Sequence, residues 1–162
     1  MRKYTKIYLD MDGVISNFMK RYEELYHEFP DRHTNSKEFG ENFENFIKTG
    51  NFATLDLMPD AKALLSYLRT LKVPIEILSS TGMKKNHTEV SRQKEIWLNK
   101  HKIAYPTNFV AGKQLKKNYA DATSIIIDDT PSVIEQWRQA GGVAILHTDA
   151  DTTIAILGTL LA

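Results

Sequence analysis

Two short apolar runs in this chain each end in a pair of acidic residues. Ile7-Tyr8-Leu9 leads into Asp10-Met11-Asp12-Gly13, and Ile125-Ile126-Ile127 leads into Asp128-Asp129. Each run is typical of a short buried strand, and the carboxyl ends of parallel strands meet at one edge of an open α/β sheet. Carboxylates gathered there are costly unless they bind a cation or take part in acid–base chemistry. The sequence therefore predicts one shared cation site at that edge.

Strand and helix patterns alternate along the chain, which predicts an α/β fold with a doubly wound parallel sheet and right-handed crossovers. We predict strands at 7–10, 75–79, 109–110, 124–128 and 143–147, and helices at 60–71, 89–101 and 131–140. Asp60 is expected to cap the first of these helices. Val90, Ile96 and Trp97 are expected to be core residues of the second.

The stretch between the first strand and the helix at 60–71 has no obvious strand. Aromatic residues recur in it at helical spacing, first Tyr22 and Tyr26, then Phe39, Phe43 and Phe46. We expect a small helical insertion over the acidic strand tip, with these rings forming its own core. The predicted division is a catalytic core at 1–14 and 56–162 and a small helical cap at 15–55.

The composition excludes several classes of protein and of site. The chain has no cysteine, so disulfides, thiol catalysis and thiolate metal ligands are excluded. Its 21 Lys and Arg residues balance 20 Asp and Glu residues, so the charge gives no indication of a nucleic-acid or membrane partner. No signal peptide and no apolar run long enough to cross a bilayer is evident, and we expect a cytoplasmic location.

Two further segments carry polar chemistry. The strand at 75–79 ends in Ser79-Ser80-Thr81-Gly82, where hydroxyls and loop amides can bind phosphate oxygens. Lys113, Lys116 and Lys117 precede the last acidic strand; two of the three are expected at the surface, and spacing favours Lys116 as the active-site lysine. Acids, a hydroxyl loop and a lysine together suit phosphoryl transfer.

With these motifs the chain resembles the haloacid dehalogenase-like (HAD) phosphatase superfamily. The superfamily's four motifs occur in order, as Asp-x-Asp-Gly-Val at 10–14, a strand ending in Ser79, a lysine, and Asp128-Asp129. The insertion lies where the superfamily has its type-one cap. More narrowly, residues 10–18, 50–52 and 57–61 are similar to the 5'(3')-deoxyribonucleotidases.

The resemblance implies a catalytic role for each matched residue. Asp10 would be the nucleophile that forms an aspartyl-phosphate, and Asp12 the general acid that protonates the leaving oxygen and then activates water. Ser79 would hydrogen-bond the transferring phosphoryl group. Lys116 would neutralise charge and keep the nucleophile ionised.

The same resemblance implies Mg²⁺ as the cofactor. The carboxylates of Asp10 and Asp128 and the backbone carbonyl of Asp12 would hold the ion, and Asp129 would assist directly or through water. Mg²⁺ prefers hard oxygen ligands and retains waters, which suits a set of acids without histidine or cysteine.

The implied substrate is a small phosphorylated molecule, a nucleotide. Phe18 matches the aromatic residue that stacks on a base in the deoxyribonucleotidases, and Phe52 is a second candidate; alternatively, Phe18 only anchors the first cap helix. Ser80 and Lys117, next to the catalytic residues, are expected to contact substrate. Thr130 departs from the basic residue common in these enzymes, which weakens the transfer of their specificity.

The sequence thus predicts a Mg²⁺-dependent phosphomonoesterase, a 5'-nucleotidase acting on (deoxy)nucleoside monophosphates. Two alternatives stay open. The first alternative is a nucleic-acid 3'-end phosphatase, because residues 130–137 also resemble the phosphatase part of polynucleotide kinases, although the chain has no evident basic stripe. The second alternative is a non-catalytic HAD-like binding module, and the intact acidic motifs argue against it. The oligomeric state is not predicted.

Overall fold

The computed structural model describes residues 3–31 and 36–162. Its centre is a parallel five-stranded sheet in the order β3-β2-β1-β4-β5. The strands are β1 (Lys6–Leu9), β2 (Ile75–Ser80), β3 (Thr107–Val110), β4 (Ser124–Asp128) and β5 (Val143–Leu146). The α-helices are α1 (Phe18–Tyr26), α2 (Ser36–Lys48), α3 (Ala61–Leu68), α4 (His87–Lys100), α5 (Pro131–Gln139) and α6 (Ala150–Leu160). The predicted fold class, a parallel α/β sheet, is confirmed.

Helices cover both faces of the sheet. Ile125 and Ile127 of β4 lie in one hydrophobic cluster with residues of α3, α4 and α6, whereas Ile126 packs in a second cluster with Trp137 of α5. A strand buried on both faces needs apolar side chains at every position rather than at alternate ones. This is the physical reason for the unbroken isoleucine run.

The chain order places two acidic strand tips side by side. β1 is paired with β2 on one side and with β4 on the other, in parallel register that aligns Leu9 with Ile127. Asp10 follows β1 directly, and Asp128 is the last residue of β4. β2 and β3 follow on one side of β1, whereas β4 and β5 follow on its other side, so the strand order reverses at β1. Open α/β folds bind ligands at the carboxyl edge of such a switch point.

The segment after β1 forms α1, α2 and a short 3₁₀ helix at Asn51–Ala53. We expected its rings to form a separate core, and this expectation was wrong, because Tyr22 and Phe46 are fully buried in the same cluster as Ile7 and Leu9 of β1. The insertion is thus packed continuously onto the sheet. The division of the chain at residues 14 and 56 stays a prediction, and part of the predicted cap, residues 32–35, lies outside the described residues.

Two details of the helix predictions were wrong. Asp60 does not cap α3 with its side chain; its carboxylate instead accepts a hydrogen bond of 2.6 Å from the backbone N–H of Ala150, at the start of α6. The sequence analysis did not predict α6. Ile96 of α4 is 41% exposed rather than a core residue, while Val90 and Trp97 are fully buried as predicted.

No helix in the described part of the chain has the length and apolar character needed to cross a membrane.

Candidate active site

The acidic tips of β1 and β4 are joined by one buried lysine. Lys116 lies on a 3₁₀ helix at Lys113–Tyr119 and its side chain is 2% exposed. Its Nζ donates to Asp10 Oδ1 at 2.9 Å and to Asp128 Oδ2 at 2.7 Å. Asp128 also accepts a 2.9 Å hydrogen bond from the backbone N–H of Thr130. The structure therefore brings together three residues that the sequence places far apart.

The site shifts the protonation of these groups. Burial raises the pKa of Asp10, the charge of Asp128 raises it further, and Lys116 opposes both effects. Burial acts to lower the pKa of Lys116, but the carboxylates of Asp10 and Asp128 outweigh it, so that its pKa is raised. Burial, then the charges of Asp10 and Asp128, raise the pKa of Asp129 to about 8. Burial first, and repulsion among the carboxylates second, thus oppose ionisation of the acidic groups at this site.

Gly13 lets Asp129 approach the strand tip of β1. Its backbone has φ of +83°, and a Cβ at this position would lie 1.9 Å from Asp129 Oδ2. An L-residue side chain is disfavoured at such a φ and would also collide with the carboxylate. The glycine of the Asp-x-Asp-Gly motif is therefore required by the close approach of a second acidic motif.

The donor set fits a divalent cation. Carboxylate oxygens of Asp10, Asp128 and Asp129 all lie within 4.8 Å of one another. Together with Asp12, four carboxyl groups here face two buried ammonium groups among the described residues, those of Lys116 and Lys94. The uncompensated negative charge and the hard oxygen ligands both match Mg²⁺.

Lys94 is the functional-site residue that the sequence analysis missed. It lies on α4, 1% exposed, and its Nζ donates to Asp12 Oδ2 at 2.9 Å, Ser79 Oγ at 2.7 Å and the Ser80 carbonyl at 2.9 Å. A signal was present in the sequence. Position 94 lies four residues after Val90 and three before Trp97, on the buried stripe of the helix. A lysine on that stripe needs a buried partner.

The two serines at the end of β2 have different surroundings. Ser79 is 1% exposed, and its hydroxyl accepts from Lys94 instead of facing the cavity. Ser80 and Thr81 line the cavity, and Ser80 Oγ accepts a hydrogen bond from the backbone N–H of Gly82. The expected phosphoryl contact of Ser79 stays a prediction; in this structure the Ser79 hydroxyl is directed to Lys94, and Ser80 is the one of the two serines that lines the cavity.

The structure also separates the three candidate lysines. Lys116 is at the site and Lys117 is exposed, outside the residues that line the cavity. Lys113, which we expected only at the surface, lines the cavity, and its Nζ lies 3.5 Å from Thr130 Oγ1. A cationic group thus reaches Thr130, the position where the deoxyribonucleotidases commonly have a basic residue. The expected substrate contact of Lys117 is not supported by this placement.

A cavity of about 330 Å³ opens above the acidic residues. Its floor includes Asp10, Asp12 and Lys116, and its upper wall is formed by side chains of the insertion, among them Phe18, Met19, Phe39, Phe43 and Phe52. An aromatic wall opposite a charged floor suits a ligand with one apolar and one anionic end.

Phe18 and Phe52 contribute differently to this wall. Their rings are parallel within 3°, with centroids 5.7 Å apart. A planar base between them would need roughly 7 Å, two stacking distances of about 3.5 Å, so no base fits between the rings. Phe52 is only 3% exposed, whereas Phe18 is partly exposed. Both rings line the cavity, and Phe18 is the more exposed of the two.

Residues 4–156 match the sequence model of a family described as 5' nucleotidase, deoxy (pyrimidine), cytosolic type C protein. No curated protein matches the chain in sequence.

Several solved structures similar to this chain are described as hydrolases or phosphatases. One is a HAD-superfamily hydrolase from Ehrlichia chaffeensis, with 12% identity, a TM-score of 0.57 and full coverage of both chains. A hydrolase from Streptococcus pneumoniae TIGR4 has 18% identity and a TM-score of 0.55, and the alignment covers 96% of this chain and 99% of that one. D,D-heptose 1,7-bisphosphate phosphatase from Burkholderia thailandensis has 10% identity and a TM-score of 0.51, with 94% and 84% covered. At these identities the likeness establishes the fold.

Proposed function

Since the chain belongs to the family of deoxy (pyrimidine) 5' nucleotidases of cytosolic type C and is a HAD-like phosphatase, we propose that it is a Mg²⁺-dependent phosphomonoesterase acting on (deoxy)nucleoside monophosphates. The observation that carries the proposal is the buried Lys116 ammonium between Asp10 and Asp128, at the floor of a cavity with an aromatic wall. The family description also supports a cytoplasmic location, which we propose with it.

In the proposed reaction, an oxygen of Asp10 attacks phosphorus and forms an aspartyl-phosphate while the ester P–O bond breaks. Asp12 transfers its proton to the departing nucleoside oxygen. Asp12 then removes a proton from water, which attacks phosphorus, releases inorganic phosphate and restores Asp10. Asp10, buried against Lys116, acts as the nucleophile. Asp12, which is more exposed, acts first as the general acid and then as the general base.

Positive charge is the second requirement, because a carboxylate must attack an anionic phosphate. Lys116 supplies it from the floor, Lys113 from the rim, and the Ser80 hydroxyl and adjacent loop amides can bind phosphoryl oxygens. Asp10, Asp128, Asp129 and the carbonyl of Asp12 would hold Mg²⁺, which would neutralise phosphate charge when bound.

Phe18→Ala tests the nucleotide part of the proposal. If the ring stacks on a base, its loss removes about 1–3 kcal/mol per base, and we expect the KM for thymidine 5'-monophosphate to rise about tenfold or more. The KM for glycerol 3-phosphate, which has no base, should barely change. The measurement is release of inorganic phosphate from both substrates.

Phe18→Leu is the matched variant, because leucine keeps much of the apolar packing against Tyr22, Phe46 and Phe52 but cannot stack. Equal losses on both substrates for the two variants would show that Phe18 only anchors α1. A wild-type protein that hydrolyses glycerol 3-phosphate but no nucleotide would contradict the substrate class and keep the phosphatase chemistry.

Lys116→Met should lower kcat/KM by about 100-fold or more, the scale for losing a charge directed at the transition state. Methionine conserves the buried volume, so the change removes the ammonium while leaving little cavity. Initial rates at saturating Mg²⁺ measure the effect.

Lys117→Ala is the comparison for this variant, since Lys117 is adjacent in sequence but exposed and outside the cavity. We expect a change of less than about threefold, the ordinary effect of removing an exposed charge. A larger loss for Lys117→Ala than for Lys116→Met would reverse the assignment of the lysine.

A further inference from the structure

The ammonium group of Lys94 uses all three of its hydrogen-bond donors within the site. An ammonium group has three N–H donors and no acceptor, and Lys94 Nζ has three acceptors at 2.7 to 2.9 Å. One is the Asp12 carboxylate and the other two belong to the end of β2. Lys94 Nζ lies over the Phe52 ring, 5.2 Å from the ring centroid, and the ring helps to shield the ammonium group from solvent.

These contacts connect two parts of the proposed machinery that otherwise lie on separate strands. Asp12 follows β1, and Ser80 is the last residue of β2. The Asp12 side chain is 31% exposed, so without a partner it could adopt several rotamers. Lys94 Nζ donates a hydrogen bond to Asp12 Oδ2, and the Ser16 hydroxyl donates one to Asp12 Oδ1 at 3.0 Å. Both oxygens are thereby fixed relative to the phosphate-binding loop.

We propose that Lys94 is a positioning residue that aligns the Asp12 carboxyl group with the leaving-group oxygen, through its bonds to Asp12, Ser79 and Ser80. The inference rests on the proposed phosphatase function. Lys94 itself does not touch the reacting phosphate: its three donors are occupied, and it is absent from the residues that line the cavity. Its effect on rate passes through Asp12.

This role predicts a loss that depends on the leaving group. A nucleoside alkoxide is a poor leaving group, so its oxygen needs a proton from Asp12 as the ester bond breaks. 4-Nitrophenolate is a stable anion and can leave without a proton. Steps up to departure of the leaving group determine kcat/KM, so the later activation of water does not enter.

We expect Lys94→Met to lower kcat/KM for thymidine 5'-monophosphate by about 100-fold, the usual scale of general-acid catalysis. For 4-nitrophenyl phosphate the loss should stay below about tenfold. Asp12→Asn should show the same pattern. The double variant should be no slower on the nucleotide than Asp12→Asn alone, because residues that act as a unit are not additive.

Gln93→Met is the matched control. Gln93 is on the same helix and equally buried, at 1% exposure, but it bonds to Ile47 and Phe52 of the insertion rather than to Asp12. It should destabilise the fold, seen as a lower Tm, and affect both substrates alike. If Lys94→Met does not fold, Lys94→Gln keeps a donor for Ser79 and is compared in the same way.

Equal losses on the two substrates for a folded Lys94 variant, or additive losses in the double variant, would overturn the inference and leave the phosphatase intact. A wild-type protein that hydrolyses neither substrate would overturn the proposed function, and the inference with it.

Discussion

Asp10→Asn is expected to abolish hydrolysis of every phosphate ester while the fold stays intact. The amide has the shape of the carboxylate but is a poor nucleophile, and losing a covalent nucleophile typically costs about 10⁴-fold or more in kcat. The amide oxygen of the new side chain can still accept a hydrogen bond from Lys116, which also keeps its bond to Asp128. Phosphate release is the measurement, with circular dichroism to verify folding.

A covalent intermediate provides a second readout of the same prediction. Wild-type protein quenched in acid during turnover of a ³²P-labelled ester should carry label on a peptide that contains Asp10, and Asp10→Asn should carry none. Asp151→Asn, at an exposed position in the first turn of α6, is the matched control and should behave as wild type. Wild-type activity in Asp10→Asn would show that another group attacks phosphorus.

Removal of divalent cations with EDTA is expected to reduce activity to background, and added Mg²⁺ to restore it. The reason is the charge of the site, where four carboxylates face two buried ammonium groups and a substrate adds further negative charge. Without a cation, the attack of Asp10 on an anionic phosphate is opposed by the whole cluster. Activity that survives thorough chelation would refute the metal-assisted mechanism.

Thermal unfolding separates metal binding from catalysis. A ligand present at about 100 times its Kd stabilises the native state by about 2.7 kcal/mol, and each kcal/mol shifts Tm by roughly 2–4 °C in a chain of this size. Mg²⁺ should therefore raise the Tm of the wild type by several degrees. Asp128→Asn should lose most of this shift, because Asp128 is one of the three clustered carboxylates.

The nature and position of the acidic motifs could be predicted from the sequence. Apolar runs at 7–9 and 125–127 predict buried parallel strands, and parallel strands end at a common edge. Asp10 and Asp128 must then be neighbours if β1 and β4 pair, as they do. The family follows from the same local motifs, because each is a short, continuous stretch of chain.

The choice among neighbouring polar residues could not be made in this way. Spacing favoured Lys116, and the structure places it at the site. The sequence analysis preferred Lys117 to Lys113 for a substrate contact, whereas Lys113 lines the cavity, and it could not predict that Ser79 is directed to Lys94 while Ser80 lines the cavity. These pairs differ in the direction of one side chain, which depends on the turn of a 3₁₀ helix or on the end of a strand. Periodicity does not report that direction where the regular element stops.

The sequence by itself determined the local elements: buried strands, their acidic ends, and a helical insertion rich in aromatic rings. Only the tertiary structure decided which buried groups meet. Lys94 and Asp12 are 82 residues apart, and their bond exists because α4 packs its buried stripe against the ends of β1 and β2. A helical pattern tells which face is buried but not which partner it meets, since the partner comes from a distant part of the chain.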